Sequence, residues 1–98
     1  MTTEQHPLAD LDDLVHQRAR LGILAMLREA PKVDFVRLRE TLGLTDGNLA
    51  RHLQTLADAG LVTTKKAQSR TWVSLTAAGR KAFDRELAAL RALVERFG

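Results

Sequence analysis

Ninety-eight residues, with 15 lysines and arginines against 12 carboxylates and a formal net charge of +3, describe one small domain with a modest core. There is no cysteine, which excludes a disulfide framework and any thiolate metal site, and no apolar run reaches the roughly 20 residues that span a bilayer. With no signal-peptide pattern at its start, the chain reads as a soluble cytoplasmic domain without a membrane partner.

Residues 1–7, "MTTEQHP", read as a disordered lead, and residues 8–98 as a single domain. The start is acidic: residues 1–15 hold Glu4, Asp10, Asp12 and Asp13 and no lysine or arginine. Leu8, Leu11, Leu14 and Val15 have helical spacing. A longer helix follows from about Arg18 to Ala30, with Leu21, Ile23, Leu24 and Leu27 apolar. The two are either separate helices or one bent helix, and Pro31 forbids continuation.

Asp34 suits the N-cap of a helix over Phe35 to Leu42, whose inner face is Phe35, Leu38 and Leu42. Gly43 ends it, Thr45 caps the next helix, and that helix runs to Ala59 before Gly60 stops it. Two helices joined by so tight a turn form a helix-turn-helix, although an ordinary αα-hairpin shares the signature. The segments "LVTTKKA" and "RTWVSL" then read as a β-hairpin turning around "AQS". Without Asn-Gly at the turn, its register stays open. Thr76 caps a last helix to about Arg96. This order is that of a winged helix-turn-helix: mainly α with a small β-hairpin, about five helices and a two- to three-stranded wing.

At 100° per residue, Leu49, Leu53 and Leu56 fall within about 60° of one another and form a buried stripe. Gly47, Asn48, Arg51, Gln54 and Thr55 fall opposite, with His52 on the flank. Arginine pairs bidentately with guanine, and asparagine or glutamine with adenine, so Arg51, Asn48 and Gln54 carry the chemistry that reads base edges in a major groove. Gly47 weakens the first turn but lets backbone approach a phosphate. Asp46 repels phosphate, yet can accept from cytosine N4 or complement the helix N-terminus.

Residues 51–81 carry six bases (Arg51, Lys65, Lys66, Arg70, Arg80, Lys81) against one acid, Asp58, a local surplus that attracts polyanions. Lys65, Lys66 and Arg70 cluster near the hairpin tip, where a wing meets neighbouring phosphates or the minor groove. Gln68 and Ser69 add hydrogen-bonding capacity. Basic hairpin tips also serve solubility and edge protection alone. Trp72 reads as core or hinge packing rather than a base-stacking platform.

In the last helix Phe83, Leu87, Leu90, Val94 and Phe97 are spaced as a heptad seam, widened by Leu93. The domain core needs only the first turns, so the far half requires another apolar surface. That surface is either Leu8, Leu11, Leu14 and Val15 of the same chain or the same seam of a second copy. A homodimer would present two recognition helices to symmetric half-sites about 10 bp apart, a palindromic double-stranded operator.

The strings "RLGILAMLRE", "FVRLRETLGLTDGNLARHLQTLADAGLV" and "SLTAAGRKAF" resemble the small winged helix-turn-helix transcriptional regulators allied to the MarR and ArsR families, over about residues 11–90. The resemblance implies a cytoplasmic homodimer that binds operator DNA, usually as a repressor. It implies DNA contacts from Thr45, Gly47, Asn48, Arg51 and His52 in the recognition helix and from Lys65, Lys66 and Arg70 in the wing, with dimer contacts from the first and last helices. The wing departs from the pattern in being short and free of Gly and Pro. ArsR relatives often sense metals through cysteines or through Asp and His on the last helix. Here cysteine is absent and His6, His16 and His52 are scattered, so no metal and no cofactor is expected. Nothing marks a pocket for a small-molecule effector.

An enzyme is the weakest reading: no nucleophile and base are paired, no glycine loop cradles phosphate, and no helical His-Glu-His zinc set is present. The serious rival to a DNA-binding regulator is a winged-helix adaptor that binds protein instead.

Overall fold

In a computed structural model of the chain, backbone is described for residues 7–97 and side chains for residues 18–97. The first element is one uninterrupted helix, α1 (Pro7–Glu29), where the sequence allowed two. His16 and Gln17, between the two apolar patterns, are compatible with helix, and neither Gly nor Pro intervenes. The described residues therefore hold four helices instead of about five.

Helix α2 (Phe35–Leu42) opens on Asp34, whose carboxylate accepts from the Val36 amide at 3.4 Å. It closes at Gly43, which takes φ 66°, ψ 34°. In that left-handed conformation the Gly43 and Leu44 amides turn back to the carbonyls of Glu40 and Arg39 at 3.4 and 3.0 Å. A Cβ would penalise this geometry, and glycine removes the penalty. Helix α3 (Asp46–Asp58) follows at once, its first turn capped by the Thr45 hydroxyl, which accepts from the Asn48 amide at 3.1 Å. After its end, the Gly60 and Leu61 amides donate to Ala57 and Leu56 carbonyls, both at 2.9 Å.

The sheet has three antiparallel strands in the order β1 (Val33–Asp34), β3 (Arg70–Leu75), β2 (Val62–Ala67). Ala67 pairs with Arg70, so Gln68 and Ser69 alone make the hairpin turn, at φ 54° and 66°. Both are left-handed, the geometry that matches strand twist in a two-residue hairpin, and neither is the glycine or asparagine such turns favour. The two-residue strand β1 was not read from the sequence. Its pairing with β3 joins segments nearly forty residues apart.

Helix α4 (Ala77–Phe97) starts from Thr76. The Thr76 hydroxyl accepts from the Gly79 amide at 2.9 Å and its own amide donates to the Leu61 carbonyl at 3.0 Å. The core lies among all these layers: Ile23, Leu24 and Leu27 of α1, Leu38 of α2, Leu49, Leu53 and Leu56 of α3, Val62 and Val73 of the sheet, and Phe83 of α4. Side chains alternate across strands. Val73 therefore faces this core, its exposed partner Thr64 lies on the same side of the sheet, and Trp72 stands on the outer face opposite Lys65. Trp72 is thus not core packing. It is half-buried, with Lys32 Nζ 4.5 Å and the Arg70 guanidinium 5.9 Å from its ring centre. No helix among the described residues is long and apolar enough to cross a membrane.

Candidate nucleic-acid interface

Burying Leu49, Leu53 and Leu56 fixes the rotation of α3 about its axis. Asp46, Gly47, Asn48, Arg51, Gln54 and Thr55 are consequently exposed together, with Thr45 exposed at the cap and His52 half-buried on the flank. Arg51 Nη2 donates to Asn48 Oδ1 at 2.9 Å, so these two side chains lie against each other one turn apart. The Thr55 hydroxyl donates to the Arg51 carbonyl at 3.1 Å, and Gln54 Nε2 to Asp58 Oδ1 at 2.8 Å. Gln54 is thereby drawn toward the C-terminal end, away from the Asn48–Arg51 pair. At Gly47 a Cβ would meet nothing within 4 Å, so the packing of the chain itself does not require glycine there.

Asp46 is partnered by a residue the sequence reading missed. Arg39 of α2 donates through Nη1 to Asp46 Oδ1 at 2.8 Å and lies 3.5 Å from Glu40 Oε2. The hydrogen bond and then the charge of Asp46 raise the guanidinium pKa further above its already high ordinary value. Arg39 was invisible because its role depends on how α2 is set against α3. Arg20, from α1, is the second such residue. With Asn48, Arg51, His52 and Thr55 it walls a shallow depression beside the recognition face.

In the wing, Lys65, Lys66 and Arg70 are all exposed, but not on one surface. Lys65 pairs with Trp72 and so shares the outer face with it; Lys66 pairs with Thr71 on the face that carries Val73, against which α3 packs. Arg70 Nη1 lies 3.8 Å from Asp34 Oδ2. A partly exposed pair at this separation contributes little to stability.

The seam of α4 divides in two. Phe83 is buried in the core of its own chain and Leu87 packs against that core. Leu90, Leu93, Val94 and Phe97 are exposed, Val94 at 66% and Phe97 at 78%. The side chains of Leu8, Leu11, Leu14 and Val15, expected opposite them, lie outside the described residues.

A family model described as a winged helix DNA-binding domain matches residues 19–94. An uncharacterized protein of Methanocaldococcus jannaschii is 43% identical over 68 residues, covering 65% of this chain and 74% of its own. The structure of a transcriptional regulator homologue from Pyrococcus horikoshii superposes with TM-score 0.75 at 31% identity, covering 91% of this chain and 97% of that one. At 20% identity the likeness is of fold alone for a homodimeric winged helix-turn-helix DNA-binding domain from Mycobacterium bovis, a possible ArsR-family regulator. Its TM-score is 0.69, with 98% of this chain and 95% of that one covered. MarR-family regulators share the fold as well, and this chain spans 55% of the length of one from Silicibacter pomeroyi. The expected likeness to MarR- and ArsR-type regulators is thus borne out.

Proposed function

Since the chain belongs to the winged helix DNA-binding domain family, we propose that it is a sequence-specific transcriptional regulator, a repressor that binds a palindromic operator as a homodimer. The observation that carries this reading is the outward face of α3. Arg51 and Asn48, the residue types that recognise guanine and adenine, are exposed side by side on a helix whose opposite side is locked into the core. A cationic hairpin follows directly, suited to the phosphates beside the groove. The Arg39–Asp46 contact supports the same reading, because it offsets the one acidic charge at the leading end of α3.

The homodimer rests on the exposed far half of α4. Four large apolar side chains in its last two turns are wasted on solvent in a monomer. The similar domain from Mycobacterium bovis is homodimeric. Repression follows from occupancy, since a dimer seated on a promoter denies that stretch to other proteins. Selection of bound fragments from a random double-stranded DNA pool tests the whole reading. The expected product is an inverted repeat with half-sites about 10 bp apart, centre to centre. Recovery of no enriched sequence, with binding insensitive to salt, would instead fit the protein-binding adaptor.

A further inference from the structure

The depression between α1 and α3 has a wall composition that suits one class of ligand. Arg20 and Arg51 supply guanidinium groups and His52 an imidazole, Asn48 and Thr55 supply neutral polar groups, and no carboxylate of the described residues lines it. Arg51 is held by the amide oxygen of Asn48, a neutral acceptor, and it enters no ion pair among the described residues. Arg20 likewise has no ion pair among the described residues, and its Nε is buried without a hydrogen-bond acceptor. Two guanidinium groups from different helices line the same depression, and no carboxylate of the described residues lines it with them. A guanidinium fork in that situation matches the oxygens of a phosphate.

We propose that this depression seats a phosphate-type oxyanion. Resting on the DNA-binding reading above, its occupant is a backbone phosphate of the duplex flanking the base pairs that α3 meets. Arg20 then belongs to the interface although it lies outside both the helix-turn-helix and the wing. Its contact carries no base preference. It anchors the flank of the recognition helix and fixes how α3 enters the groove.

The test compares wild type, Arg20→Gln and Arg20→Lys by fluorescence anisotropy on a labelled duplex across a salt series. Removing one phosphate contact should lower the slope of log affinity against log salt by about 0.9, so by about 1.8 for a dimer losing two. Arg20→Gln should show that loss equally on operator and unrelated duplexes, and Arg20→Lys should restore most of the slope. Restoration separates a charge role from a packing role and keeps the test decisive if the glutamine variant folds poorly by circular dichroism. A second arm titrates wild type and Arg20→Gln, without DNA, with inorganic phosphate at constant ionic strength. It follows the amide resonances of Asn48 and Thr55. Saturating shifts in wild type that vanish in the variant support the seat. Equal salt slopes in the three proteins, with wild type still binding duplex, overturn the backbone phosphate as occupant while leaving the regulator reading intact. The absence of saturating phosphate shifts as well overturns the seat itself. If wild type binds no duplex, the regulator reading fails, and the phosphate titration alone decides the seat.

Discussion

The hydroxyl of Thr76 donates to the carbonyl of Gly60 at 2.6 Å, tying the start of α4 to the end of α3 across sixteen residues. Three residues on, Gly79 is buried so tightly that an added Cβ would lie 2.0 Å from the Leu61 carbonyl oxygen and 2.8 Å from Leu75 Cδ1. The joint between the helix-turn-helix, the wing and α4 therefore closes on backbone. Gly79→Ala should destabilise by more than about 3 kcal/mol, because it must move main chain rather than a flexible side chain. Thr76→Ala, which removes a cap, should cost about 1 kcal/mol. Urea midpoints at unchanged m-value check both; a Gly79→Ala midpoint near wild type would contradict the close approach.

Gly47 predicts stability and binding moving in opposite directions. Nothing in the chain occupies the space a Cβ would take there, so Gly47→Ala should stabilise α3 by about 0.5–1 kcal/mol. If backbone at that turn approaches a phosphate, the same change should weaken operator binding. Thermal unfolding and a DNA titration on one preparation give both numbers. A variant that is more stable and binds undiminished would remove Gly47 from the interface.

Arg51→Ala should weaken operator binding by about 1–3 kcal/mol and relax base preference at one position of each half-site. Because Asn48 holds Arg51 at 2.9 Å, the Asn48→Ala effect should not be additive with it. A double-mutant cycle should show a coupling of about 0.5 kcal/mol or more. Strict additivity would mean that the two side chains part company on DNA.

The two wing lysines should separate. Lys66 lies on the sheet face that α3 packs against, Lys65 on the opposite face with Trp72. On the proposed reading, a duplex engaged by α3 meets the Lys66 side of the sheet first. Lys66→Ala should therefore lower the salt slope by about 0.9 per copy, and Lys65→Ala by clearly less, on all sequences alike. The reverse order in the same anisotropy series would refute this placement of the wing.

Val94→Glu with Phe97→Glu places charge on the exposed end of the α4 seam and leaves the buried Phe83 and the packed Leu87 untouched. Sedimentation should show a monomer with unchanged helix content, and operator affinity should fall with the loss of the second half-site. A dimer that survives both substitutions would place the interface elsewhere.

What the sequence makes legible is local chemistry. Asp34, Gly43, Thr45 and Gly60 mark helix ends within a residue or two, since capping is decided by neighbours a few positions away. The outward set on α3 is legible for a related reason, because the leucine period alone fixes its rotation. Features assembled by tertiary contact are not legible. Strand β1 is two residues long and exists only because β3 runs beside it. Arg39 and Arg20 reach α3 from other helices, and no spacing rule connects them to it. Lys65 and Lys66 look equivalent in sequence and differ only through strand register.

The hinge between α2 and α3 is fastened three times: by the paired amide–carbonyl bonds around Gly43, by the Thr45 cap and by the Arg39–Asp46 contact. A segment so fastened has little freedom left to surrender when a ligand arrives. Association should then carry a heat-capacity change set by the apolar area covered, without the extra increment that accompanies coupled folding. The helix that probes the groove would behave as a finished tool, with discrimination resting on the fit of its side chains and not on a rearrangement of its frame.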